Sequence, residues 1–252
     1  MSELNTVVIV GSSLAGLRAA ETLRLEKYEG RIIIVGAEDR QPYDRPPLSK
    51  KVLSGEWEAD RISLRKPDDL AKLNIDWKLG SAATALDTTN HTITVASGET
   101  ITFDGLIIAT GSGVRKLPNQ PDWSGVHVVR TLDDSLALRA NLNPGARVVV
   151  IGAGFIGLEV AATAKVRGCE VTVLEGAPAP MMRGLGADMG HAAALVHADN
   201  GVAMRFNVKV AGLIEGNSGS VGGVALDDGE VVPADVVVVG IGVVPATQWL
   251  EN

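Results

Sequence analysis

Two runs of the sequence put small residues where a strand would have to turn sharply into a helix. One is Gly152-Ala153-Gly154-Phe155-Ile156-Gly157, and the other is Gly11-Ser12-Ser13-Leu14-Ala15-Gly16. Each follows an apolar run, at 148–151 and at Val7-Val8-Ile9-Val10, and each opens a stretch of helical periodicity. Residues of this type and spacing can hold the pyrophosphate of a dinucleotide. The first glycine permits the tight turn, the second lets a phosphate approach the backbone, and the third lets helix and strand pack closely. The pyrophosphate then sits at a helix N-terminus, where unpaired N–H groups point outward.

An acid about 20 residues further on can accept hydrogen bonds from a ribose diol. Glu175 and Glu38 stand in that place after the two turns. The second turn fits in all three glycines, Gly152, Gly154 and Gly157. The first has Ser13 at the second position, which narrows the phosphate cleft. Glu175 also repels a ribose 2′-phosphate, so NADH is favoured over NADPH. One chain with two dinucleotide sites points to a relay of hydride from nicotinamide to a tightly held flavin. The spacing alone leaves open which turn takes which.

The elements that must carry these turns read as two strand–helix–strand units, at 6–38 and 147–175. Such units join parallel strands by a right-handed crossover. Their Val/Ile runs are continuous, not alternating, which predicts strands covered by helices on both faces. The fold class expected is α/β, with two doubly wound Rossmann-like dinucleotide-binding domains. Between the turns, 41–47 reads as a Pro- and Arg-rich loop and 48–53 as a short helix ending near Gly55. Residues 77–95 and 100–103 alternate like antiparallel strands, and 104–111 returns to a buried strand. Residues 118–125 read as a linker, 208–232 as a hairpin with a flexible tip at 216–223, and 235–240 as a last strand.

Composition narrows the function classes. The 252 residues are 46% hydrophobic and 21% charged, enough to bury real cores. A formal charge of −7 argues against a generic nucleic-acid binder. The single cysteine excludes a disulfide framework, a structural zinc site or a dithiol pair within the chain, and points to the cytoplasm. The longest apolar stretch, 236–245, is too short to span a bilayer. The start, with Glu3 and no Lys or Arg before Thr6, is not a basic leader. Cys169 follows the helix stop at Gly168 and reads as packing. His91, His127, His191 and His197 have no ligand spacing, so no metal is expected.

Val7 to Glu21, Pro42-Tyr43-Asp44-Arg45-Pro46-Pro47-Leu48-Ser49-Lys50, Ile107-Ile108-Ala109-Thr110-Gly111 and Gly152 to Glu159 together resemble the FAD-dependent, NADH-using ferredoxin reductases of the putidaredoxin-reductase type. These belong to the pyridine nucleotide-disulfide oxidoreductase superfamily. The Pro42–Lys50 run is the specific part, and Ser13 is usual in this family. The absence of a cysteine near that run counts against disulfide reductases and cysteine-based NADH peroxidases, which need a redox thiol beside the flavin.

The resemblance implies an FAD-binding domain at 1–115, an NAD(H)-binding domain at 116–241 inserted into it, and the start of a return to the FAD domain at 242–252. It implies that a later Gly-Asp motif and a C-terminal interface domain lie beyond Asn252. It places Gly11, Ser13, Ala15 and Gly16 at the FAD pyrophosphate, Glu38 at its ribose, and Arg45, Lys50, Ala83, Thr110, Gly111 and Arg130 along the flavin. Gly152, Gly154, Ile156, Gly157, Glu159, Glu175, Gly240 and Ile241 would meet NADH. Lys50 and Glu159 would form an ion pair near the flavin N5, the lysine stabilising negative charge there.

The implied activity is hydride transfer from NADH to FAD, then electron transfer to a ferredoxin-type iron–sulfur protein, a 2Fe-2S protein, serving a P450 or a ring-hydroxylating dioxygenase. Arg61, Arg65, Lys66 and Lys72 are candidates for a basic docking patch. A monomer or weak dimer is expected, with no nucleic acid and no membrane. The alternatives are an NADH oxidase, a monodehydroascorbate-type reductase, or a non-catalytic NAD(H)-binding module.

Overall fold

The computed structural model describes residues 4–251. Met1–Glu3 and Asn252, touched by the leader reading and by the limits of the expected ranges, lie outside the described residues. The chain folds into two compact units. One holds the residues up to Asp44, Asp60–Gly113 and the chain from Pro245 on; the other holds Arg45–Ala59 and Val114–Val244.

In the first unit, the apolar runs become strands β1 (Thr6–Val10) and β2 (Arg31–Val35), joined by helix α1 (Leu14–Leu25). Strand β3 (Ile75–Lys78) extends this sheet. Strands β4 (Ala83–Asp87), β5 (Thr92–Val95) and β6 (Thr100–Thr102) form a separate antiparallel sheet. Strand β7 (Gly105–Ile108) completes a parallel sheet of order β3-β2-β1-β7, with Thr6 opposite Arg31 and Val7 opposite Gly105.

Both faces of this sheet are buried, by different partners. Val7, Ile9, Ile32 and Ile34 pack with Ala20 and Leu23 of α1. Val8, Val10, Ile33 and Val35 pack with Ile93, Val95, Ile101 and Phe103 of the antiparallel sheet side, and Trp249 joins them. The expectation of helices on both faces is therefore corrected: a three-stranded antiparallel sheet covers one of them. Continuous Val/Ile runs report burial on both sides, and either cover satisfies them. The expected antiparallel strand beginning at Trp77 is also corrected. Ile75–Lys78 pairs parallel to β2, and its alternation reflects an edge strand with one wetter face.

The second unit repeats the plan. Its elements are β8 (Val126–His127), α2 (Leu132–Asn141), β9 (Arg147–Ile151), α3 (Phe155–Val166), β10 (Glu170–Leu174), α4 (Met182–Asp199) and β11 (Ala203–Arg205). Then come β12 (Val210–Glu215), β13 (Val221–Leu226), β14 (Val231–Pro233) and β15 (Val236–Val239). The parallel sheet runs β11-β10-β9-β15-β8, and β12-β13-β14 form the antiparallel cover. Val148, Val150, Val171 and Val173 face Leu158, Ala161 and Ala164 of α3 and Leu138 of α2. Val149, Ile151, Val237 and Val239 face Val221, Val224 and Leu226.

Gly168 ends the turn after α3 at φ 86, as its position at the helix stop predicts. Helix α4 is bent at Gly186, whose φ of 76 is not helical. Leu53, from the 45–59 segment, is wholly buried in the α2/α3 core of this unit. The expected range 1–115 assigns that segment to the first unit; its packing assigns it to the second. Among the described residues, no helix is long and apolar enough to cross a membrane.

Candidate functional site

Each glycine turn is built from the backbone of three strands. In the second unit, Gly152 N–H donates to Leu174 O at 2.8 Å and Gly240 N–H to Ile151 O at 2.8 Å. In the first, Gly11 N–H donates to Val35 O at 2.8 Å and Ala109 N–H to Val10 O at 2.7 Å. The opening glycines have φ of 124 (Gly11) and 100 (Gly152), a region that L side chains avoid.

A Cβ on Gly11 would come within 2.1 Å of Ala109 O, and one on Gly152 within 2.6 Å of Gly240 O. The closing glycines are tighter still: a Cβ on Gly16 would meet Gly11 O at 1.9 Å, and one on Gly157 would meet Gly152 O at 2.1 Å. These contacts bring Thr110 to the first turn and Gly240 and Ile241 to the second.

The middle positions differ. Ser13 is the N-cap of α1, and Gly154 is the N-cap of α3 with an extended backbone. Around Gly154 a Cβ would find nothing within 4 Å, so the space there is open. Leu14, Phe155 and Ile156 are exposed in the first helical turns, as is Ala15.

The acids are held in different ways. Glu175 follows β10 directly, and its carboxylate accepts from Ala153 N–H at 2.6 Å and Ala177 N–H at 2.8 Å. The residue after β2 is Gly36, not an acid. A Cβ on Gly36 would lie 2.2 Å from Ser12 Oγ. Glu38 comes two residues later, and Tyr43 O–H donates to its Oε2. Gly36 and Tyr43 escaped the sequence reading, although Tyr43 lies inside the Pro42–Lys50 run. Gly111, at φ 66, accepts at its carbonyl from Ala246 N–H at 3.0 Å. Ala83 opens β4 and packs against the β1/β2 core, away from the bonds that build the turn.

The 45–59 segment is fastened within the second unit. Arg45 Nη1 donates to Arg130 O at 2.8 Å. Asp134 Oδ2 accepts from the N–H groups of Arg130 and Thr131, closing a capping box on α2. Ser135 Oγ donates to Leu48 O at 2.6 Å, and Thr163 Oγ1 donates to Ser49 O at 2.8 Å. Arg167 donates to the carbonyls of Ser54, Leu142 and Arg139, the C-terminal ends of two helices. Lys50 Nζ lies 2.7 Å from Glu159 Oε2, and Ser49 Oγ donates to that same oxygen at 2.5 Å. Ser49, Ser135 and Thr163 are the buried polar side chains of the described residues, and none was singled out in the sequence.

Two of the four residues of the expected basic patch are paired within their own unit. Arg65 Nε donates to Glu21 at 2.7 Å and Lys72 Nζ to Asp69 at 2.8 Å. Cys169 is buried with Sγ 3.4 Å from Asn143 O, and burial pushes its thiol up, away from the reactive thiolate.

Residues 5–252 match the family model described as pyridine nucleotide-disulphide oxidoreductase. The rhodocoxin reductase of Rhodococcus erythropolis is 39% identical over 244 residues, covering 95% of this chain and 56% of that protein. The ferredoxin–NAD(+) reductase component of the Paraburkholderia xenovorans biphenyl dioxygenase system is 39% identical over 246 residues, covering 97% of this chain and 60% of that one. The chain therefore spans a little over half the length of these relatives. Among solved structures, a covalent putidaredoxin reductase–putidaredoxin complex matches with a TM-score of 0.93 and 35% identity, over 97% of this chain and 60% of that one. A ferredoxin reductase from Rhodopseudomonas palustris matches with a TM-score of 0.91 and 36% identity, over 97% and 60%. With both glycine turns inside the matched region, the chain belongs to the pyridine nucleotide-disulphide oxidoreductase family.

Proposed function

We propose that this chain carries the dinucleotide sites of an NADH-dependent ferredoxin reductase, taking hydride from NADH onto FAD and passing electrons to a ferredoxin-type iron–sulfur protein of the 2Fe-2S kind. The terminal acceptor would be a P450 or a ring-hydroxylating dioxygenase, as the names of the relatives suggest. The observation that carries the reading is the doubled turn. Two separate units each present a helix N-terminus behind a glycine that no side chain could replace. Glu175 is bonded to the second turn through Ala153 N–H, and Glu38 follows the second strand of the first unit, bonded to Tyr43.

The residues fit both cofactors. Open space over Gly154, at the N-cap of α3, is room for a phosphate to meet the backbone. Ser13 stands at the same place on α1 and would face the FAD pyrophosphate with Gly11, Ala15 and Gly16. Glu175, fixed by two N–H groups, would take the NADH ribose and repel a 2′-phosphate. Glu38 would take the FAD ribose. A bound flavin supplies the conversion between two-electron and one-electron transfer. Lys50 is a cation where negative charge would develop, and Glu159 orients it. Ala83, Thr110, Gly111, Arg45 and Arg130 would line the flavin, and Ile156, Gly240 and Ile241 the nicotinamide nucleotide. One cysteine, buried, fits a cytoplasmic protein.

The test is an anaerobic visible spectrum of the purified chain before and after stoichiometric NADH, followed by addition of a 2Fe-2S ferredoxin. A flavin spectrum that bleaches with NADH and recovers as the ferredoxin is reduced is the expected result. A folded chain that takes up neither FAD nor NADH overturns the proposal.

A further inference from the structure

The charges of the Lys50–Glu159 pair fix its geometry only weakly. Both side chains are long and half-open to solvent, at 46% and 29% exposure. Ion pairs of that kind are weak and are screened by salt. Beside the pair stands a donor of another kind. Ser49 is 2% exposed, and its hydroxyl donates to Glu159 Oε2 at 2.5 Å. A hydrogen bond to a carboxylate is roughly twice as strong as one between neutral groups.

The donor is itself clamped. Thr163, one turn along α3 from Glu159, donates to the Ser49 carbonyl, and Ser135 of α2 donates to the preceding carbonyl of Leu48. Two hydroxyls from two helices thus fix two consecutive peptide groups. The Ser49 side chain is held where the carboxylate must come to it.

We propose that Ser49 is the positioning residue of the Lys50–Glu159 pair: its anchored hydroxyl sets the Glu159 carboxylate, which, together with the Pro46 carbonyl that accepts from Lys50 Nζ at 3.1 Å, sets the lysine ammonium. Both donors fall on Oε2, which leaves Oε1 to accept from a bound nucleotide. The inference rests on the proposed reading that Glu159 meets NADH. It adds a buried residue whose effect runs through Glu159.

The test is an NADH titration of the purified chain by nicotinamide fluorescence, at low and high salt, with far-UV circular dichroism as the folding check. Ser49→Ala weakens NADH binding about tenfold, the equivalent of one charge-assisted hydrogen bond. The loss grows with salt, because only the exposed ion pair then holds Glu159. In a Glu159→Ala background the same change costs less than twofold, since its effect runs through that carboxylate. Ser49→Cys keeps the volume with a poorer donor and falls between wild type and alanine; it replaces Ser49→Ala if the alanine variant does not fold.

A Ser49→Ala protein that binds within twofold of wild type overturns the proposal. So does a loss that persists undiminished without Glu159. A wild-type chain that binds no NADH is a different failure: it removes the functional reading, and this inference with it.

Discussion

The two units share one frame down to single hydrogen bonds, and they part at the middle of the glycine turn. Gly11 and Gly152 donate to the last carbonyl of the neighbouring strand at the same 2.8 Å. Leu17 N–H closes the first helical turn on Ser13 O at 2.9 Å, and Leu158 N–H on Gly154 O at 3.0 Å. At the outer positions glycine is demanded by the protein's own backbone. At the middle one it is not: a side chain fits there, since Ser13 occupies it in one unit and Gly154 has open space in the other. The glycine of the second turn is therefore spare as far as folding goes. Under the proposed function, its use is to let a phosphate approach the helix N-terminus.

The largest effect that would break this comparison is a methyl group at a closing glycine. Gly16→Ala and Gly157→Ala put a Cβ within 1.9 and 2.1 Å of a carbonyl oxygen that cannot move without dismantling its turn. Each should cost about 3 kcal/mol and lower the melting temperature by about 10 °C, since overpacking against backbone finds no flexible neighbour to yield. Thermal unfolding by circular dichroism reads this directly. If either variant melts within 2 °C of wild type, the turns are looser than these contacts state.

The reciprocal swap sharpens the comparison. Gly154→Ser writes the first unit's pattern into the second. The serine finds room and is the better N-cap, so stability should hold or rise by a few tenths of a kcal/mol. NADH binding should nevertheless fall about tenfold, because the new side chain fills the approach to the helix N–H groups. Ser13→Gly should change stability by no more than a few tenths of a kcal/mol, because the Ser13 side chain makes no capping hydrogen bond on α1. An unchanged NADH affinity in Gly154→Ser, by fluorescence titration, would show that the phosphate does not use this opening.

How far the sequence carried the structure follows the range of the interactions. The turns, their helices and the strands either side were legible because each is set by residues within one strand–helix–strand unit. Gly168 after α3 and Gly55 after the Lys51–Ser54 helix were readable for the same reason. The placement of 45–59 was not. It depends on Ser135 and Thr163 reaching carbonyls 87 and 114 positions away. A serine or threonine inside a helix gives no local sign of such a partner.

The cover of each sheet's second face was hidden in another way. Val8 and Val149 need an apolar neighbour, and a three-stranded sheet meets that need as well as a helix. The acid offset in the first unit was missed because Gly36 looks like an ordinary strand-end glycine until Ser12 Oγ is seen against it.

The smallest effect lies at the far ends of the same strands, where the two units again match and again part. Asp104, before β7, donates its N–H to Thr6 O at 2.9 Å, and its carboxylate accepts from Thr6 N–H at 2.8 Å. Asp235, before β15, does the same to Arg147, at 2.9 Å in both directions. Thr6 brings no cation to its aspartate, whereas the Arg147 guanidinium grips Asp235 from Nε at 3.0 Å and Nη2 at 2.5 Å. That bond holds the Asp235 carboxyl below the usual carboxylate range.

A carboxyl lowered in the folded state adds stability that is fully present above its unfolded value of about 4, and that is lost as pH falls through the folded value. Both side chains are about half exposed, so the contribution stays below about 1 kcal/mol. Asp235→Asn should therefore lower the urea midpoint slightly at pH 7, and the gap to wild type should close as the pH drops below 4. A gap that stays constant down to pH 3 would mean that the charge on Asp235 adds nothing to stability, either through the guanidinium or through the backbone N–H it accepts.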